Sequence, residues 1–111
     1  MIDWTRVSDF REEVGAEDFD EVAELFLEEV AQAMANVRPD VLVTTLESEL
    51  HSIKGSALNL GFQALAEQCR LGEKAAAGGL IPTDVLAILP KIYQDSLDAF
   101  AEGRANLGNA A

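Results

Sequence analysis

Apolar residues return every three or four positions along almost the whole chain and nowhere alternate with polar ones over several residues, a pattern that predicts helices and no sheet. Five helices can be placed. A short one runs from about Asp3, a good N-cap, to Val14, with Trp4, Val7, Phe10 and Val14 on one side and Gly15 as a stop. The second spans about Glu17 to Val37, with Phe19, Val22, Phe26, Val30, Ala33 and Val37 inward, and Pro39 ends it. The third opens near Pro39 or Asp40 and continues to Leu60, its stripe being Val43, Leu46, Leu50, Ile53, Ala57 and Leu60, with Gly61 closing it. The fourth covers about Phe62 to Ala77, with Phe62, Leu65, Cys69 and Ala76 inward and Gly78-Gly79 as terminator. The fifth runs from about Thr83 to Ala101, burying Val85, Leu89, Ile92 and Phe100, and Pro90 inside it should kink or restart it.

Four long helices joined by short connections predict an all-α fold, an antiparallel up-down-up-down four-helix bundle with the first helix as a cap. The 111 residues make one domain, 1–111, with disorder expected only in the last few. Composition narrows the function. A formal net charge of -12 argues against a nucleic-acid partner, since a phosphate backbone would be repelled. The acidity suits a partner with a basic or mixed surface, or serves only to keep a monomer soluble. Cys69 is the one cysteine, so no internal disulfide can form, and a reducing, cytoplasmic setting follows. No apolar run approaches the roughly 18 residues of a membrane span.

His51 is the one histidine in the chain. At about 100° per residue it falls about 130° from the centre of the third helix's apolar stripe, which places it outside the core. Thr44, Ser48, Lys54, Gly55 and Leu58 project near it, with Glu47 the one acid among them. Lys54, three residues on, would bring an ammonium beside anything attached to the imidazole, or is a lysine solvated along the bundle edge. Glycine in mid-helix costs about 1 kcal/mol against alanine. Gly55 therefore leaves room either for a group or partner at His51 or for close helix packing.

The run His51-Ser52-Ile53-Lys54-Gly55-Ser56-Ala57, followed by Asn59-Leu60-Gly61, resembles the signature of histidine phosphotransfer (HPt) domains of bacterial two-component phosphorelays. The likeness extends to Leu65, Cys69 and Glu73, and upstream to the stretch from Phe19 to Glu29. It implies that His51 accepts a phosphoryl group from an aspartyl phosphate on one receiver domain and gives it to another. Lys54 would then neutralise phosphoryl charge, Gly55, Ser56, Asn59 and Gly61 would shape the site, and Ser48, Ser52 and Leu58 would meet the partner. The implied partners are response regulator receiver domains and a sensor or hybrid histidine kinase, and the receiver would supply Mg²⁺. Gly72 departs from the resemblance, which has leucine there, and should loosen the fourth helix.

A phosphocarrier of this kind needs no cofactor, metal or ATP site of its own, and is not an enzyme. Gly78-Gly79 lacks the flanking pattern of a phosphate-cradling loop. One histidine with scattered acids also lacks the paired inward ligands of a di-metal bundle. Glu73 lies in the inward stripe of the fourth helix and needs a partner; the resemblance to the phosphoacceptor domains of chemotaxis histidine kinases, where a glutamate at the similar position holds the imidazole, implies His51, while Lys54 or exposure at the bundle edge serves as well. It is left outside the predicted site. The competing function is a helical adaptor that binds a receiver-like domain without transferring anything.

Overall fold

The computed structural model describes residues 1–106 and, over these, is all-helical. Its elements are α1 (Trp4–Val14), α2 (Phe19–Ala35), α3 (Val43–Asn59), α4 (Gln63–Ala77) and α5 (Thr83–Arg104). The expected disorder at the extreme C-terminus falls on residues 107–111, outside the described ones. No helix among the described residues is long and apolar enough to cross a membrane.

The predicted stripes form the core. Val7 and Phe10 of α1, Phe19, Val30 and Ala33 of α2, and Leu46, Leu50, Ile53 and Ala57 of α3 are buried, as are Leu65, Cys69 and Ala76 of α4 and Leu89 and Phe100 of α5. The most extensive contact is between α3 and α4, with α2 packed on α3, α5 on α4, and α1 on α2 and α3. Phe10 meets Phe19 and Phe26 edge-on, while Trp4 stacks on Phe100 with ring centroids 5.9 Å apart.

α3 and α4 are joined by a tight turn. The Phe62 amide donates to the Ala57 carbonyl and the Gly61 amide to the Leu58 carbonyl, a Schellman closure with Gly61 at φ 74°. A Cβ on Gly61 would lie 2.6 Å from the Asp3 carbonyl oxygen and 2.8 Å from Val7 Cγ2. The Asp3 amide in turn donates to the Gly61 carbonyl at 2.7 Å, and the Asp3 carboxylate caps α1 by accepting from the Arg6 amide. Glycine is thus needed twice over, for the backbone conformation and for the close passage of the chain entering α1.

Several boundaries differ from expectation. α2 stops at Ala35, not Val37, and α3 begins at Val43, not near Asp40. The Val41 amide donates to the Arg38 carbonyl, so Pro39 and Asp40 occupy the centre of a turn, where proline's fixed φ is as well suited as in a helix's first turn. α5 is continuous through the exposed Pro90 and ends at Arg104, so Pro90 does not restart it. Its last turn is held from outside: Arg104 reaches Asp20 Oδ1 at 3.0 Å and Glu24 Oε1 at 2.8 Å, and the Trp4 ring fills the space beside Gly103. Gly72 does not loosen α4 either. It is buried within an unbroken helix, in close approach to Leu50, Val85 and Pro82.

Candidate functional site

Leu50, Ile53 and Ala57 anchor α3 in the core, and the helical repeat then turns His51 outward, with 68% of its side chain exposed. Its Nδ1 lies 2.6 Å from Oε1 of Glu73 on α4. Lys54 Nζ lies 2.7 Å from the other oxygen, Oε2, so one carboxylate joins the histidine and the lysine. These two groups are largely covered, Lys54 being 26% and Glu73 20% exposed, while the imidazole stands free.

The electrostatics follow from this arrangement. The Lys54 ammonium holds the Glu73 carboxyl below its ordinary range, partial burial pushes the other way, and the contact with His51 adds to the lowering. Glu73 is therefore ionised at neutral pH and can only accept a hydrogen bond. The proton of a neutral His51 then resides on Nδ1, which donates to Glu73, and the lone pair is left on Nε2, away from the carboxylate. Cys69, a turn before Glu73, is buried, and burial together with the Glu73 charge pushes its thiol up to about 12 against the opposing pull of Lys54, so it is held as an inert thiol.

Not all of the predicted site residues gather here. Thr44, Ser48, Ser52 and Gly55 are exposed on α3 with His51, and a Cβ on Gly55 would meet nothing within 4 Å, which removes close helix packing as its reason. Leu58, 51% exposed, borders a shallow groove of about 340 Å³ with Lys54, Gln63, Ala66, Glu67 and Arg70. Ser56 turns inward and donates to Glu29 Oε2 on α2 at 3.3 Å. Asn59 accepts from the Arg6 guanidinium on α1 at 2.7 Å. With Gly61 beneath Asp3, these last three belong to the packing of α1 and α2 on α3. Glu73, left out by sequence reasoning, is the central connector, and its signal was a carboxylate in an apolar stripe. Among the described residues no three of His, Cys, Asp and Glu converge so as to hold a metal ion.

The family model of the Hpt domain matches residues 7–103. The chain belongs to the Hpt domain family. That span contains every helix in whole or in large part and all of the residues around His51. Hpt domains take part in histidine phosphotransfer within phosphorelays, as phosphocarriers and not as catalysts, and interact with response regulator receiver domains and histidine kinases. No curated protein and no solved structure matches the chain.

Proposed function

We propose that His51 is the phosphoacceptor of this Hpt domain and that it takes a phosphoryl group from an aspartyl phosphate on one receiver and passes it to another. The observation that carries this is the exposed imidazole bound through Nδ1 to an ionised Glu73. Nε2 attacks phosphorus in line, an N–P bond forms, and the acyl P–O bond breaks with its electron pair returning to the receiver's aspartate. The Nδ1 proton stays against Glu73, whose charge offsets the positive charge that develops on the ring. Donation onward is the reverse, with the second receiver's aspartate as nucleophile. The receiver, with the Mg²⁺ it would hold, would neutralise the remaining phosphoryl charge.

Lys54 serves from one side of the same carboxylate. Sharing the Glu73 carboxylate with His51, its ammonium would turn toward a phosphoryl group on Nε2 while Glu73 keeps the ring, and Gly55, with nothing within 4 Å of a Cβ, leaves that approach open. Ser48, Ser52 and Leu58 are the contacts we assign to the receiver, and Ser56, Asn59 and Gly61 support the site from behind. The domain, 1–111, is an up-down-up-down bundle with α1 across one end. The pairing of Arg104 near the end of α5 with Asp20 and Glu24 near the start of α2 supports an antiparallel course for those two helices. It works as a cytoplasmic monomer without an ATP site, loaded through a receiver that a sensor or hybrid kinase has phosphorylated.

The test is transfer of radiolabel from a phosphorylated receiver. Wild-type chain should take up an acid-labile label and His51→Gln none; label retained on His51→Gln would overturn the assignment.

A further inference from the structure

The His51–Glu73 contact depends on how near α4 lies to α3, and the residue beside Glu73 lies in that interface. Gly72 is buried and helical, so no unusual backbone conformation calls for glycine there. Space does. A Cβ on Gly72 would lie 2.9 Å from Leu50 Cδ1 on α3 and 3.1 Å from Val85 Cγ1 on α5, with Pro82 Cγ at 3.7 Å. Leu50 precedes His51 in sequence as Gly72 precedes Glu73, so the α3 contact sits one residue from each partner of the site. Leu50 is fully buried and Leu rotamers in a packed core have few alternatives, while Val85 is β-branched and stiff in its helix. A methyl group at position 72 is therefore met from two sides, most closely by Leu50, so relief requires α4 to part from α3 while Val85 gives way.

We infer that Gly72 is a positioning residue for the phosphoacceptor: by lacking a side chain it sets the α3–α4 spacing at which the Glu73 carboxylate reaches Nδ1 of His51. This rests on the reading of His51 as the phosphoacceptor only for its consequence in transfer; the spacing itself concerns the hydrogen bond. Widening the gap lengthens a 2.6 Å bond whose carboxylate is also tied to Lys54 and is not free to follow the imidazole. The ring then loses its fixed tautomer, and Nε2 is less often presented as the lone pair. Misplacement on this scale lowers the rate of a positioned transfer by roughly tenfold.

Because His51 is the sole histidine, ring ¹⁵N chemical shifts read its tautomer without ambiguity. They would be measured at neutral pH on wild type, Gly72→Ala, Gly72→Ala/Leu50→Val and Glu73→Ala, alongside thermal melts and receiver-to-chain transfer rates. Wild type should show the proton on Nδ1, and Gly72→Ala should move toward the mixed pattern of Glu73→Ala while still melting cooperatively. Removing the contacted Cδ1 in Gly72→Ala/Leu50→Val should restore the wild-type pattern and most of the rate, and this pair of measurements decides the matter if the single variant does not fold. A folded Gly72→Ala with the wild-type ¹⁵N pattern overturns the inference, whether or not transfer slows. So does a folded double variant that stays in the mixed pattern. Failure of wild-type His51 to take label would instead strike the phosphoacceptor assignment and leave the spacing result standing.

Discussion

At the scale of single residues, Glu73 does most to distinguish this histidine from an idle one on a helix surface. It accepts from Nδ1 of the exposed imidazole, is kept ionised chiefly by Lys54, and is itself largely covered on the side that meets Lys54. Glu73→Ala should slow uptake of phosphoryl from a receiver about tenfold, the scale of one charge-assisted hydrogen bond, with the fold retained by circular dichroism. Its lowered pKa also has a sign. A carboxyl held lower in the folded chain than in the unfolded one stabilises the fold above its ordinary titration range, and that contribution fades as pH falls through the lowered value. Urea unfolding should show wild type more stable than Glu73→Gln near neutrality, with the gap closing in acid; a gap that persists there contradicts the ion pair. Gly55 gives the opposite sign for stability. Nothing lies within 4 Å of a Cβ at that position, so Gly55→Ala should gain helix propensity, about 0.5–1 kcal/mol or roughly 3–6 °C in Tm, while slowing transfer if the receiver approaches there. The helical repeat was enough to put His51, Lys54 and Gly55 on one outer face. It left open which partner Glu73 of α4 takes, since periodicity defines a face and not the residue opposite it.

At the scale of elements, the α3–α4 hairpin shows where sequence and structure agree best. Gly61 marks the end of α3 because only glycine takes positive φ cheaply, and the Schellman bonds around it are what that residue permits. Gly61→Ala should cost about 2 kcal/mol or more in urea unfolding, from the strained φ and from the encounter with the Asp3 carbonyl; a loss under half of that would mean the α1 entry is loosely held. Prolines were less legible. Pro39-Asp40 suits a helix's first turn and the centre of a β-turn equally, and the structure has the turn, with the Val41 amide donating to the Arg38 carbonyl. Pro90 sits with its missing N–H on the exposed side of α5, so the helix passes through it. The final turn of α5 extends beyond the apolar stripe because Arg104 and Trp4 hold it, contacts some 80 or more residues away in sequence.

For the molecule as a whole, the stripes foretold nearly the entire core, and the residues from His51 to Gly61 foretold the family. What they did not settle were the side-chain pairs that join one helix to another: Arg6 with Asn59, Ser56 with Glu29, and His51 with Glu73, the last of which stood as one of three alternatives. Two of these place Ser56 and Asn59 in the packing around the helix that carries His51. The account that results is a bundle in which apolar packing fixes α3 and α4 and thereby fixes one imidazole, with Nδ1 held and Nε2 free. The most direct test is to phosphorylate the chain from a receiver and determine by ³¹P and ¹⁵N resonance where the phosphoryl group is attached. An N–P bond at Nε2 of His51, with Nδ1 still protonated, is the predicted result; attachment at Nδ1, or at any other residue, would contradict it.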